Sequence, residues 1–351
     1  MADVMPIITE RQHYVPRNFL HAWERDGKIA VRIGGGRPSV SRVDAIAFEK
    51  RYYGYKPLSM EELKYVLSWD FVSEPTFKRK FAEFVRAAII EPLAFRLADC
   101  PGDSAVLEQL RYLRMKGYVT PTARATIETV GRLYRQDREL FRELRLLSLR
   151  EGFERNLCKI EKAFWPFLES LRNGKIGFLN KQRGRFVFFH YLFEQYMRTP
   201  GFEDYIRMAS EPCEAGMMAN VFLYLRHVGA LEEAVMYTAT YEHFRVVLVE
   251  NHTSLEFITG DQPVHAIAVD DSGPIRDTYF PISPSRAVIV CRKGRLKNAN
   301  LKRFFDPDEA AVDILNKALC RYCSRQVYAS SEAVLLDRGY VAGPSVAKRV
   351  G

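Results

Sequence analysis

The side chains able to do acid–base or anion chemistry fall in three separate stretches. The first is Gln12-His13-Tyr14-Val15-Pro16-Arg17-Asn18-Phe19-Leu20. Proline fixes its own φ, pushes the preceding Val15 into an extended conformation and suits the first position of a helix. His13 is therefore expected at a strand-to-helix junction. N–H groups at a helix start attract anions, and an imidazole beside them titrates near neutral pH. The layout suits handling a phosphate or carboxylate, with His13 as general acid or base.

The second stretch, Arg185 to Pro200 (RFVFFHYLFEQYMRTP), is apolar almost all round and reads as a buried helix. His190, Glu194 and Arg198 follow at i, i+4 and i+8 on one face, and Gln195 stands one turn from Arg198. Buried charge must be paired or must face a cleft. Two readings stay open: a Glu194–Arg198 ion pair that fixes the helix, or a site in which Arg198 steadies developing negative charge, Glu194 or Asp261 orients or binds metal and Gln195 positions substrate. The third stretch is Phe257 to Val264, where Gly260-Asp261-Gln262-Pro263 puts a carboxylate at a sharp bend. Such an aspartate either serves a site or bonds nearby backbone. Glu74, just before Pro75, either joins a site or complements a helix start. A histidine-centred site requires no cofactor, whereas Asp261 with Glu194 and Glu74 could hold Mg2+.

The chain of 351 residues, 47% hydrophobic, 13% aromatic and 27% charged, has the composition of a folded globular protein. Met1 to Arg11 lacks the apolar run of a secretory signal, and no stretch approaches the roughly 20 apolar residues that span a bilayer. The expected location is cytoplasmic, without a membrane partner. HExxH, GxSxG, kinase and dinucleotide fingerprints are absent, and Gly34-Gly35-Gly36 lacks P-loop spacing, so it reads as a hairpin turn. Of six cysteines only Cys320 and Cys323 are close-spaced, which reads as reduced core thiols.

The net charge of +9 is concentrated. Arg292–Arg303 carries six basic residues and no acid, and Arg172–Arg185 carries five and none, more than the whole excess. Lys181, Arg183, Arg185, Arg292, Lys293, Arg295 and Lys297 are the candidate contacts to a nucleic-acid backbone. Basic loops that only keep the chain soluble are the alternative.

Placing these residues requires an α+β architecture: an N-terminal strand/helix junction, a large central helical region over about 61–234, and a mainly antiparallel sheet over about 243–330. Strand 28–33 precedes the glycine turn; helices are expected over 75–97, 104–116, 121–158 and 185–197. The 132–162 part, leucine-rich with both signs of charge, reads as a long amphipathic helix. Strands are expected at 244–249, 255–259, 264–269, 287–290 and 326–329, with a corner at Pro281-Ile282-Ser283-Pro284. Asp306-Pro307 is the expected start of a helix over 309–324. With no repeat and no low-complexity linker, residues 11–330 are expected to form one composite domain between a 1–10 lead and a 331–351 tail.

The opening run, Phe48-Glu49-Lys50-Arg51-Tyr52-Tyr53, Gln195-Tyr196-Met197-Arg198-Thr199-Pro200, Phe257–Val264, the 281–284 corner and Leu315-Asn316 occur in an order that resembles a bacterial domain-of-unknown-function family marked by His-Tyr-Val-Pro. The resemblance covers roughly residues 10–330 and implies a single domain. That family usually has Phe or Tyr soon after the proline, where this chain has Arg17-Asn18, and Ser-Asp-Asn-Pro at the bend, where it has Gly-Asp-Gln-Pro. The resemblance implies positions and no reaction. The leading expectation is an enzyme that cleaves phosphodiesters of RNA or DNA; the alternatives are a non-catalytic nucleic-acid-binding module or an interaction protein with a protein partner.

Overall fold

The computed structural model describes residues 11–50, 52–69, 72–210, 215–267, 277–297 and 302–343, with backbone alone at 215, 296 and 297. The expected 1–10 lead, Cys213, the end of the 264–269 strand, the Lys297 side chain, residues 298–301 of the basic segment and the tail from 344 lie outside the described residues. The fold is α+β. In chain order the elements are β1 (Arg11–His13), α1 (Arg17–Leu20), β2 (Ile29–Ile33), β3 (Ser39–Ser41), β4 (Phe48–Lys50), α2 (Met60–Ser68), α3 (Pro75–Val85), α4 (Glu91–Asp99), α5 (Ser104–Met115), α6 (Pro121–Gln136), α7 (Arg138–Arg172), α8 (Gln182–Met197), α9 (Pro200–Ala209) and α10 (Ala215–Ala239). They continue with β5 (Phe244–Glu250), β6 (Thr259–Gly260), β7 (His265–Ile267), β8 (Asp277–Ser283), β9 (Arg286–Arg292), α11 (Glu309–Tyr322), β10 (Gln326–Ala329) and α12 (Glu332–Asp337).

The described parts of Met1–Gln12, Lys50–Lys159 and Gly216–Glu232 form one compact unit; those of His13–Glu49, Ile160–Ala215 and Glu233–Gly351 form another. The first is helical. Ser59 and Glu62 make a capping box on α2. Between α3 and α4 the helix widens into a π turn over Arg86–Ile90, because Pro92 has no N–H to return to the Ala88 carbonyl. The continuous helix expected over 121–158 is divided at Asp137, whose backbone leaves the helical region (φ −148°, ψ 95°) and whose carboxylate accepts from Leu140 N at 2.9 Å to start α7. Buried Gln12 accepts from Tyr53 N at 2.6 Å and donates to Arg150 O at 3.2 Å, so it clamps three segments of this unit.

The second unit holds two four-stranded antiparallel sheets, ordered β3-β2-β10-β6 and β5-β9-β8-β7. One apolar cluster, including Phe257 and Tyr279 with Val312, Leu315 and Leu319 of α11, is shared by residues of both sheets. Gly34 takes a φ of +51° at the glycine turn, which leads from β2 into β3 as a hairpin. Residues 255–258 lie outside any strand and only Thr259–Gly260 pair, because Ile258 N donates to the Asn316 side chain instead of a ladder. The 281–284 corner begins inside strand β8, where the β8–β9 register shifts between Pro281 and Ser283. A proline within a sheet is accommodated at such an irregularity. The cap of α11 is Asp308 rather than Asp306; its carboxylate accepts from Ala311 N at 2.7 Å.

Candidate functional site

His13 ends β1, and the run then turns into α1. Pro16 is the cap of α1, with φ −60° and ψ 136°, not its first helical residue. At four residues α1 is one turn and carries little dipole. The field at His13 comes from side chains instead. Burial, then the guanidiniums of Arg17 and Arg198, pull its pKa down to about 4, against smaller upward effects from Asp44 and a Val43 backbone hydrogen bond. The half-buried imidazole is neutral at pH 7. Tyr14 N donates to Ala47 O at 3.0 Å, and Ala47 holds a φ of +53°, a region that side-chain-bearing residues adopt at a cost.

The end of α8 is tied to the same run. Gln195, fully buried, donates from Nε2 to Tyr14 O at 3.0 Å. Its Oε1 accepts from Arg198 Nη2 at 2.6 Å, and Arg198 Nη1 reaches Glu161 of α7 at 2.7 Å. Arg198, 1% exposed, thus has a charge partner and a neutral one, as a buried guanidinium requires. Glu194, also buried, lies 3.8 Å from His190 one turn back. Thr199 caps α9 and donates to Gln262 Oε1, while Gln262 Nε2 donates to Tyr196 O at 3.0 Å and Val264 O at 2.7 Å.

The third stretch closes on β10. Asp261 Oδ1 accepts from Ser324 N at 2.9 Å; Oδ2 accepts from Arg325 N at 2.7 Å, Gln326 N at 2.9 Å and Ser324 Oγ at 3.2 Å. Burial pushes this carboxyl's pKa up, and the four donors pull it back in part. Gly260 has no alternative here, since a Cβ would stand 2.3 Å from Cys323 Sγ and 2.7 Å from Gln326 O. The other motifs are cross-linked in the same manner. Trp23 Nε1 donates to Phe257 O at 2.7 Å, Arg172 donates to Phe19 O and Ile282 O, Phe257 N donates to Pro284 O, and Asn316 donates to Glu256 O.

The family described as "Protein of unknown function (DUF4238)" matches residues 11–333. The chain belongs to that family. The matched span contains every residue of this network, so the DUF4238 match and the mutual bonding of the motifs concern the same positions. Comparison with curated proteins finds no match, and neither does comparison with solved structures.

The structure gathers His13, Gln195 and Arg198; Asp261 is bonded to residues 324–326, and Glu74, in the first unit, caps α3 by accepting from Phe77 N at 2.8 Å. Among the described residues no group of three or more His, Cys, Asp or Glu is placed to hold a metal ion, and no helix is long and apolar enough to cross a membrane. Lys181, Arg183, Arg292 and Lys293 are exposed. Arg185 lies over the Tyr241 ring at 4.3 Å and donates to Leu179 O, and Arg295 pairs with Asp277 at 3.0 Å. Arg245, exposed, acts electrostatically on Tyr241 together with Arg185, and its neighbour Phe244 pairs with Arg292 across β5 and β9. The two basic segments therefore meet at Tyr241–Arg245. Sequence reasoning missed Arg17, Glu161 and Arg245. Arg17 could have been found because it stands in the opening run; Glu161 and Arg245 carry no local signal.

Proposed function

We propose that the protein is an enzyme of the bacterial cytoplasm that acts on nucleic acid, with His13 as general base in phosphodiester cleavage. The observation that carries this reading is the half-buried His13 imidazole, whose pKa burial first, and then Arg17 and Arg198, lower to about 4. A base must be unprotonated at working pH, and a group that attacks a phosphodiester needs positive charge beside it as negative charge develops. His13 takes the proton of the attacking water, or of the 2′-hydroxyl in RNA, as its oxygen bonds to phosphorus; the P–O bond to the leaving oxygen breaks and that oxygen takes a proton from solvent. Exposed Arg17 meets the phosphate, and buried Arg198 acts through the imidazole and Gln195. The exposed basic residues around Arg245 hold the rest of the backbone.

The test is cleavage of end-labelled single-stranded RNA and DNA by the purified chain, with and without added Mg2+. His13→Ala should lower the rate by on the order of 100-fold or more; an unchanged rate removes the proposal. A second reading, a non-catalytic binding module, is favoured by the bonding of Arg198 and Asp261 within the protein. Salt-sensitive binding with no cleavage under any metal condition would select it.

A further inference from the structure

The residues around the end of α1, the last turns of α7 and the 281–284 corner line a second cleft, of about 570 Å³, within the second unit. That volume is in the range of small-molecule sites. Two arginines in its wall act as stitches. Arg172 donates to Ile282 O at 2.9 Å, Phe19 O at 2.8 Å and Glu169 Oε1 at 3.2 Å, which joins the three walls. Arg286 donates to Arg172 O and, at 3.0 and 3.1 Å, to Glu250. Each guanidinium is paired with a carboxylate, so this wall carries no surplus positive charge to draw a phosphate.

The groups that stay open to solvent are of another kind. His21 is half exposed, and with Nδ1 bonded to Glu24 it presents Nε2. Glu169, 46% exposed, uses Oε1 on Arg172 and keeps Oε2. Asn18 and Ser285 add an exposed amide and an exposed hydroxyl, and Trp165 a partly exposed indole held by Arg172 over its ring at 5.8 Å. The Ser283 hydroxyl is enclosed in the wall and makes no hydrogen bond among the described residues, so it is not a nucleophile held by His21. The cleft is built for recognition.

A ligand there meets donors and acceptors side by side, next to an apolar ring. An apolar ligand would strip water from Glu169 and Asn18 with nothing in return, and an anion would meet the Glu169 and Glu24 carboxylates. A sugar ring has the matching parts. Each hydroxyl both donates and accepts, so neighbouring hydroxyls can bridge a carboxylate and an amide, while the C–H face of the ring lies against an aromatic surface. We propose that this cleft binds a neutral pyranose sugar, with its hydroxyls on Glu169, Asn18 and His21 and its C–H face on Trp165. The site lies beyond the nucleic-acid reading and does not depend on it.

The test is calorimetric titration of the full chain with methyl glucoside, methyl galactoside, methyl mannoside and N-acetylglucosamine, with inorganic phosphate and tetraglycine as controls. At least one sugar should bind with a dissociation constant below about 10 mM and shift the tryptophan fluorescence. Trp165→Ala should weaken that sugar on the order of tenfold, with Trp165→Tyr retaining most of the affinity. Asn18→Ala and Glu169→Gln, which alter exposed side chains and leave the Arg172 bond an oxygen, should each weaken it roughly three- to tenfold. Lys293→Ala, away from the cleft, should change nothing. Binding of none of the sugars, or sugar binding indifferent to both Asn18→Ala and Glu169→Gln, overturns the proposal. Phosphate or tetraglycine bound in preference to every sugar also overturns it, assigning the cleft to an anion or a peptide.

Discussion

Replacing Asp261 separates a latch from a reactive carboxylate. Its side chain is 2% exposed and accepts from three successive backbone N–H groups and the Ser324 hydroxyl, over 2.7–3.2 Å. Asp261→Ala leaves those three N–H groups without their acceptor. A buried donor left unsatisfied costs about 1–3 kcal/mol. Because residues 324–326 are only partly enclosed, water can serve some of them, and the expected loss is about 3–5 kcal/mol. Asp261→Asn keeps one oxygen. Turned toward Arg325 N and Gln326 N, it sets its NH2 against Ser324 N, and one lost bond with one opposed donor gives about 1–3 kcal/mol. Urea unfolding followed by tryptophan fluorescence and circular dichroism should rank wild type above Asn above Ala, with similar slopes. An Ala variant within about 0.5 kcal/mol of wild type would refute the latch account. An Ala variant of wild-type stability that loses cleavage would make Asp261 a reactive group.

Acid should weaken the second unit through His265. Its folded pKa of about 4, lowered chiefly by burial, lies below the ordinary 6.5, so the unfolded chain takes up the proton first and stability falls as pH drops from about 6.5 through 4. The loss reaches roughly 3 kcal/mol at pH 4; His265→Phe, which keeps a ring against Tyr322, should flatten the pH dependence of the urea midpoint, and an identical slope would sink the account. On the basic face, alanine at Arg183, Arg245, Arg292 or Lys293 should each lower the slope of log affinity against log salt for single strands by about 0.7. Arg185→Ala and Arg295→Ala should instead reduce stability, since those guanidiniums are committed to Leu179 O and Tyr241 and to Asp277.

What was legible in the chain were the features governed by neighbours in sequence. Pro16 and the glycine turn mark breaks because φ is decided residue by residue, and the apolar run of α8 marks burial because its period is local. The misplaced features depend on distant partners. Residues 255–258 read as a strand by composition, yet Ile258 N is claimed by Asn316, 58 residues on. Strand β8 contains a proline that argues against a strand unless the bulge is known. Asp137 and Asp308 show a subtler limit: several acids stand near each helix start, and the backbone break selects the cap. In the site, the His190–Glu194–Arg198 face was readable, but the partner of Arg198 is Glu161, which no spacing rule links to it.

The same residues support both a catalytic and a scaffold reading in the sequence, and exposure divides them. A group that touches a substrate must be reachable, and Gln195, Arg198 and Asp261 are 0%, 1% and 2% exposed. Their hydrogen bonds already run to Tyr14 O, Glu161 and the 324–326 backbone. Such residues can act on chemistry only through what they hold in place. What Gln195 holds is the carbonyl next to His13, and Arg198 adds to burial and to Arg17 in lowering the pKa of the imidazole. On the proposed reading the bonded network holds the imidazole in place, while burial, Arg17 and Arg198 together lower its pKa.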